Sequence, residues 1–262
     1  MPRSARLLLV SPLAQLLAAA IGASPVLPQP SPCAPLRVRI EAPGFVVREA
    51  QGDTSLTADV TRVLRSALVQ VTQNYEQPMR HRVVVEIHPS QSCYDLSVTN
   101  PRLRGSPASS GRWLIQLVSP RAPIRAQGLS YMDRLQFVRH EVTHLVLNEI
   151  NPRLPSWLEE GVPTYESSAS FYHRVCQRYL GREVPVPPFA TLVQHYDTLK
   201  GADLLAFVAV EYVIARYGRG PLNRILRAPD QLESILGVSF SDFDRGWRTF
   251  IRDAYGTSAA GS

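Results

Sequence analysis

Residues 137–144 read Phe-Val-Arg-His-Glu-Val-Thr-His, so that His140, Glu141 and His144 form the pattern H-E-x-x-H. On an α-helix, residues four apart lie on the same face, and both imidazoles therefore point towards one place. Two neutral histidine nitrogens supply half of a tetrahedral zinc site. Glu141 is the next residue along the helix, where its carboxylate can take a proton from a water that the metal activates. These residues predict a helix that carries part of a zinc centre.

The residues around this pattern favour the helix that it needs. Ser130 and Asp133 together form a helix-start signal a few residues upstream. Apolar residues recur at helical spacing through the stretch: Leu135, Val138, Val142, Leu145 and Val146. The alternative interpretation is a surface helix on which two polar histidines lie beside a glutamate that forms a salt bridge, with no metal.

A second helix is indicated shortly after the first. Residues 151–155 interrupt the helical pattern, and the new helix begins at Ser156 with the sequence Ser-Trp-Leu-Glu-Glu-Gly. Ser156 and Glu159 have the spacing of a capping box, in which the glutamate side chain reaches back to the serine amide. Glu160 lies about 100° further round the helix. The capping box therefore leaves Glu160 available for another role.

The first 23 residues have the order of a secretory signal. Arg3 and Arg6 precede the apolar run 7–21, and the small residues at 21–23 suit a cleavage site. The run is interrupted, and it is short of the roughly 20 residues that a membrane span needs. We therefore expect a secreted or periplasmic protein with no stable membrane span; the alternative is an uncleaved N-terminal membrane anchor.

The remainder of the chain divides by composition. The dense prolines of residues 24–35 predict an extended spacer. Residues 36–255 suit a single domain, with an α+β lobe at 36–150 and a helical lobe at 151–255. Residues 256–262 are expected to form a tail.

The charge of the chain is mildly basic. The 28 Lys and Arg residues against 22 Asp and Glu residues give a net charge of +6. Loss of the signal, with its Arg3 and Arg6, lowers this to +4. The basic residues form no Lys/Arg run, which argues against a nucleic-acid partner.

The chain has three cysteines, Cys33, Cys93 and Cys176. An oxidising compartment permits one disulfide and leaves one thiol over. Cys33 and Cys93 are the favoured pair because both flank strand-like segments of the N-terminal half, although the sequence also allows the other two pairings. Cys176 lies among aromatic and apolar residues at helical spacing, which is typical of a small core residue.

The hydrophobic pattern predicts an α+β fold. Residues 36–41 alternate as a strand does, and a helix is signalled from Asp53. Residues 83–87 and 113–118 predict two further strands, and the polar stretch 90–110 between them is expected to be a long loop. The small N-terminal mixed sheet with its helix is thus followed by the central H-E-x-x-H helix.

The C-terminal half is predicted to be all-helical. Residues 202–217 are almost wholly apolar and contain Glu211, as in a buried core helix rather than a membrane span. Further helices are expected to begin at Pro221, at Asp230 and at Ser241.

His140-Glu141-x-x-His144 followed by Trp157-Leu-Glu-Glu160-Gly161 resembles the gluzincin zinc metallopeptidases, and most closely their small peptidase MA-like group. The resemblance covers most of the chain from residue 83 onward. It implies a gluzincin-like fold, bound Zn²⁺, and a peptide or protein substrate that is cleaved internally. It also implies Glu160 as the third zinc ligand, because the family's ligand is the glutamate directly before the glycine.

The resemblance further implies that a strand pairs with the extended substrate as an added strand. The residues that it assigns to this strand are Trp113, Leu114, Ile115, Gln116 and Leu117. The alternative is that this strand belongs to the core.

The chain departs from the family pattern at two places. Pro163 stands where relatives tend to carry alanine, and a proline inside a helix can bend it and displace Glu160. Phe207 lies where relatives often carry a tyrosine that stabilises the transition state. The residues that could replace this tyrosine are Tyr212, Tyr165, His173 and His195.

Two functions follow from these residues. The first is an extracytoplasmic zinc peptidase in which Glu141 acts as the general base. The second is a catalytically weak or inactive zinc-binding protein that keeps the gluzincin fold to bind peptides. Glu141 favours the first, because a binding protein needs no general base there, and Phe207 favours the second.

Overall fold

The N-terminal half of the protein is built on a five-stranded mixed sheet. The computed structural model describes residues 33–50, 52–123, 129–180 and 186–256. The predicted signal, residues 24–32 of the predicted spacer and residues 257–262 of the predicted tail lie outside these ranges. The described residues belong to one compact unit, Cys33–Ser262.

The sheet has the order β1-β2-β3-β5-β4. Strands β2, β3 and β5 run parallel to one another, and the outer strands β1 and β4 are antiparallel to their neighbours. The strands are β1 Arg37–Ala42, β2 Phe45–Glu49, β3 Val83–His88, β4 Ala108–Gly111 and β5 Leu114–Val118.

The sequence missed two of these strands. Strand β2 follows a turn at Gly44 (φ 87°) and is almost wholly buried. Strand β4 consists of small and polar residues, which carry no strand signal of their own, and it forms because a turn folds it back onto β5. Trp113, which was predicted to begin the strand, lies in that turn with φ 76° and packs on the ring of His81.

Ten α-helices occur in the described ranges. They are α1 Thr54–Asn74, α2 Gln91–Ser97, α3 Tyr131–Leu135, α4 Phe137–Ile150, α5 Ser156–Tyr179, α6 Phe189–His195, α7 Ala202–Tyr217, α8 Arg219–Arg227, α9 Leu232–Leu236 and α10 Phe240–Tyr255. Short 3₁₀ turns occur at Pro101–Leu103, Tyr196–Thr198 and Pro229–Gln231. The α+β class is therefore confirmed: a mixed sheet is followed by a mostly helical half.

Several helix predictions can be compared with these bounds. Asp53 caps α1, and Ser130 caps α3 in a capping box with Asp133, as the sequence indicates. The stretch 90–110 is not a long loop, because it contains α2 and β4. Helix α10 begins at Phe240, one residue before the predicted start at Ser241, and its N-cap is Ser239.

One buried core runs through both halves of the described structure. Helix α4 is central to it, since it packs against α1 on one side and α5 on another, and also reaches β4 and β5. Helices α5 and α7 form an extensive pair behind it. This position fixes α4 from several directions, so that the residues on its remaining face are held in place.

The structure joins Cys33 to Cys93 by a disulfide and leaves Cys176 as a buried thiol. This is the pairing that the sequence favoured. The bridge ties the segment before β1 to helix α2, across 60 residues of chain. Burial raises the pKa of the Cys176 thiol to about 12, which agrees with a core residue rather than a reactive one.

None of the helices in the described ranges combines the length and the apolar character that crossing a membrane requires.

Candidate metal centre

Helix α4 presents both histidines of the H-E-x-x-H pattern on one face. His140 Nε2 and His144 Nε2 lie 3.0 Å apart, with the two rings edge to face. The opposite face of α4 is buried through Val138, Val142 and Val146. The apolar residues therefore fix the rotation of the helix, and this rotation aims the two imidazoles at one point.

Helix α5 brings Glu160 to the same point. Glu160 Oε2 lies 3.7 Å from His140 Nε2 and 3.6 Å from His144 Nε2. Ligand atoms of the three residues all lie within 4.8 Å of one another, so the group could hold a metal ion. The chain reverses between α4 and α5, where the Asn151 side chain accepts a hydrogen bond from the Arg153 amide at 3.0 Å, and this reversal lays α5 against α4.

The spacing of these three atoms fits zinc. Donors at about 2.0–2.1 Å from a tetrahedral ion are about 3.3 Å apart. The three observed separations, 3.0, 3.6 and 3.7 Å, lie close to this value. Two imidazole nitrogens with one carboxylate oxygen are also a ligand set that catalytic zinc sites use, with the fourth position left for water or substrate.

The pKa shifts of His144 and Glu160 suit metal binding, whereas His140 has to release its proton when a metal binds. Burial, with the neighbouring His140 charge, lowers the pKa of His144 to about 4, so this ring is neutral at pH 7. Burial alone would raise the pKa of Glu160, but the interaction with His140 and the charges of both histidines outweigh it and lower that pKa. For His140, the opposing effects of burial and of the neighbouring carboxylates leave its pKa raised. A neutral imidazole and an ionised carboxylate are the forms that bind metal.

Glu141 lies against the edge strand beside this group. Its side chain is largely buried, and only 6% of the residue is exposed, although it lines the cleft described below. Burial raises the pKa of Glu141, while the His140 charge and a hydrogen bond from Ser110 on β4 act against the rise. A raised pKa makes a carboxylate a better proton acceptor near neutral pH.

A cleft of about 620 Å³ opens above the triad of His140, His144 and Glu160. Strand β4 with the residues before it lines the cleft, and so does helix α4. Helix α5 contributes Glu160, Thr164, Ser167, Phe171 and Tyr172. The N-terminus of α7 adds Asp203. The potential ligands thus line a cavity large enough for several residues of a peptide.

The capping box predicted for α5 is wrong. The N-cap residue is Pro155, so Ser156 is already the first helical residue, and α5 has no side-chain capping bond. The Glu159 side chain therefore does not turn back towards the Ser156 amide but is exposed and lines the cleft. Although the residue as a whole is exposed, its carboxyl group is partly buried, and this partial burial and the Glu160 charge raise the pKa of Glu159.

Pro163 does not displace Glu160. Helix α5 continues through Pro163 to Tyr179, and Glu160 stays within reach of both histidines. One residue after Glu160, Gly161 packs directly on α7: a Cβ at this position would meet Ala206 O at 2.7 Å. Close contact between the two helices at Gly161 therefore fixes the part of α5 that carries Glu160.

The predicted substrate strand is wrong as well. Strand β5, which holds Leu114, Ile115, Gln116 and Leu117, lies between β3 and β4. Both of its edges are already paired, so it cannot accept an additional strand. Trp113 lies in the preceding turn. The edge strand that lines the cleft is β4, through Ala108, Ser109 and Ser110.

None of the four residues proposed to replace the family tyrosine lines the cleft. Tyr165 packs on Phe207 beneath the Arg219 guanidinium. His173 Nε2 forms a hydrogen bond with Glu211 Oε1 at 2.5 Å. Tyr212 packs against α10, and His195 ends α6. Phe207 itself is fully buried, so its position belongs to the core and not to the cleft.

The sequence reasoning missed two cleft residues, Tyr172 and Asp203. A signal for the first was present: Glu160, Thr164, Ser167 and Phe171 recur at helical spacing on one face of α5, next to Tyr172. No local signal pointed to Asp203, because its place in the cleft depends on how α7 packs against α5.

No protein-family model matches this chain, and no curated protein matches it. Among solved structures, the M1 zinc metallopeptidase from Deinococcus radiodurans is similar over 84% of this chain and 51% of its own, with 15% identity and a TM-score of 0.44. A mutant of that enzyme is similar over 87% of this chain and 49% of its own, with 16% identity and a TM-score of 0.43. A two-domain M1 zinc metallopeptidase bound to L-arginine is similar over 88% of this chain and 52% of its own, with 13% identity and a TM-score of 0.40. The chain spans about half the length of these structures.

Proposed function

We propose that this chain is an extracytoplasmic zinc-dependent peptidase of the gluzincin type. The observation that carries the proposal is the meeting of His140, His144 and Glu160 at one point, with the general base candidate Glu141 beside them. Chemistry supports zinc, because two imidazoles and one carboxylate leave the ion a net charge of +1 and an open position. The export signal read in residues 1–23 supports the location.

His140, His144 and Glu160 would hold the ion, which when bound polarises the scissile carbonyl and makes a water nucleophilic at neutral pH. The Glu141 carboxylate accepts the proton of the attacking water. It then delivers this proton to the departing amine, which needs it to leave as a neutral group. Ser110, on the neighbouring strand β4, also lines the cleft and opposes the rise in the pKa of Glu141.

Strand β4 suits the substrate backbone. It is the last strand of the sheet, and three of its residues line the cleft. An extended peptide could add to this edge through main-chain hydrogen bonds and pass over the triad. Such a mode supports endopeptidase activity, because an edge strand holds a chain on both sides of the bond that is cleaved.

The experiment that tests the proposal uses Glu141→Gln on the zinc-loaded protein. We expect the wild-type protein to cleave peptides from a mixed library, and the variant to lose cleavage by at least about 100-fold while it keeps its zinc. Glu159→Gln provides a control for zinc retention, because it changes the same kind of side chain in the same cleft.

The alternative function, a weak or inactive zinc-binding protein that binds peptides, predicts a different result. In that case both the wild-type protein and Glu141→Gln bind peptides, and neither cleaves them. Equal cleavage by the two proteins would contradict the proposed role of Glu141.

A further inference from the structure

The cleft has a strong excess of negative charge. Its lining includes the carboxylates of Asp133, Glu141, Glu159, Glu160 and Asp203. Among the lining residues that the structure describes there is no lysine or arginine. The chain as a whole is basic, with 28 Lys and Arg residues against 22 Asp and Glu residues. A bound Zn²⁺ would add a charge of +2 against these five carboxylates, so the cleft still has the opposite charge to its protein and attracts cations.

Three of these carboxylates already have a role. Asp133 accepts hydrogen bonds from the amide and the hydroxyl of Ser130, at 2.9 and 2.7 Å, in the capping box of α3. Glu160 belongs to the triad, and Glu141 is the proposed general base. Two carboxylates of the cleft, Glu159 and Asp203, remain without an assigned role.

Neither of these two carboxylates has a cationic partner in the described part of the chain. Glu159 is exposed, and its carboxylate makes no hydrogen bond or ion pair with the described residues. Asp203 is also exposed, and it accepts one hydrogen bond, from the Tyr196 hydroxyl at 2.6 Å. Elsewhere on the surface, carboxylates pair with arginine, as in Arg82–Glu41 and Arg245–Asp242.

The two carboxylates belong to the same cleft as the triad, on two different elements. Glu159 directly precedes Glu160 on α5, and Asp203 lies in the first turn of α7. Both groups therefore line the cavity that a peptide bound at the triad would occupy.

We propose that Glu159 and Asp203 select peptides that carry a positively charged side chain, arginine or lysine, beside the scissile bond. This inference rests on the proposed peptidase function and adds its substrate class. A carboxylate that meets a guanidinium or ammonium group in a cleft gains a charge-assisted hydrogen bond. Acidic residues in the first turn of a helix can also serve only to stabilise that helix, and the experiment below separates the two roles.

The test uses acetylated and amidated peptides that are identical except for one residue, arginine or its neutral isostere citrulline. Blocked ends remove the terminal amine, which is the other cation that such a cleft could bind. Binding is measured on zinc-loaded Glu141→Gln, so the result does not depend on turnover. We expect the arginine peptide to bind about 10-fold more tightly than the citrulline peptide, and this ratio to fall as salt rises.

The variants Glu159→Gln and Asp203→Asn, each combined with Glu141→Gln, should bring the ratio towards one. Asp253→Asn, an exposed carboxylate outside the cleft that pairs with Arg252, is the control and should leave the ratio unchanged. Melting temperatures are measured on every variant. A lower melting temperature with an unchanged ratio would assign the two carboxylates to their helices and overturn the inference.

Equal binding of the arginine and citrulline peptides, or no binding of either, also overturns it. Cleavage of peptides by the wild-type protein without any arginine preference would refute this inference and leave the proposed function standing. If the wild-type protein does not cleave peptides but the arginine preference in binding is retained, the proposed function is refuted and this inference stands. A preference that appears only with unblocked peptides would show that the cleft binds the terminal amine instead.

Discussion

Glu159 and Glu160 are adjacent glutamates in one cleft, and only Glu160 lies within reach of both histidines. We predict that Glu160→Gln lowers the affinity for zinc by more than about 100-fold, since even the loss of a supporting contact to a ligand costs about 10–100-fold. Glu159→Gln should keep one zinc per chain, because its carboxylate contacts neither histidine. Zinc content after dialysis measures both effects. Metal loss in Glu159→Gln with retention in Glu160→Gln would reverse the assignment.

Gly161 explains why a glycine follows the third potential ligand. A Cβ there would meet Ala206 O at 2.7 Å and the carbonyl carbon at 2.9 Å, both of them backbone atoms. We predict that Gly161→Ala lowers the free energy of unfolding by about 1–3 kcal/mol and weakens zinc binding, because α5 must move away from α7 and carries Glu160 with it.

Gly220 is the matched control for this variant. It is also a helical glycine, in α8, and a Cβ there meets nothing within 4 Å. Gly220→Ala should leave zinc binding unchanged and raise stability by at most about 1 kcal/mol. Chemical denaturation and zinc titration of the two variants measure the difference, and equal behaviour would show that the approach of α5 to α7 does not limit the site.

At the scale of elements, the start of helix α1 provides a test of electrostatics. The Asp53 carboxylate accepts hydrogen bonds from the Leu56 amide and the Ser55 hydroxyl, both at 3.0 Å, and pairs with Arg121. The Leu56 bond, with the Ser55 and Arg121 interactions, lowers the pKa of Asp53 below its ordinary 3.8. Because the folded-state pKa is the lower one, this stabilisation is complete above the unfolded-state value and is lost as the pH falls through the folded-state value.

We therefore predict that Asp53→Ala lowers the melting temperature at pH 7 and that its difference from the wild-type protein shrinks as the pH falls below about 4. Asp53→Asn should lose less, since asparagine is also a good N-cap. Thermal melts between pH 7 and pH 3 measure this. A difference that grows with acidification would contradict the sign of the shift.

At the scale of the whole molecule, Glu166 links the N-terminal and C-terminal halves. This nearly buried carboxylate on α5 accepts hydrogen bonds from the Tyr75 hydroxyl after α1, at 2.9 Å, and from Arg219 on α8, at 2.6 Å. The same carboxylate also accepts a bond from Asn74, at 3.2 Å. One side chain thus joins three helices.

We predict that Glu166→Gln lowers the free energy of unfolding by about 2 kcal/mol, because the Arg219 charge is left without its partner in a half-buried position. Tyr75→Phe should cost about 1 kcal/mol, since it removes one hydrogen bond. Urea denaturation of the single and double variants tests the coupling. Independent, additive losses would show that the three groups do not act as a network.

The sequence by itself determined the helix α4, the orientation of His140 and His144 on it, and the class of the fold. These features depend on residues close together in the chain, whose spacing matches the helical period. It also indicated Glu160 through its place before Gly161, although the capping box offered as the reason does not form. That error was local, since a shift of the helix start by one residue removes Ser156 from the N-cap position.

The tertiary structure alone decided which strand is at the edge of the cleft and which side chains line it. Strand β4 has no strand-forming residues, and its place beside β5 comes from pairing with a partner. Asp203 joins the lining of the cleft through the packing of α7 on α5, which is close at Gly161. Pairing and packing join residues far apart in the chain, and no local pattern encodes them. The cleft and its charge therefore became visible only in the folded molecule.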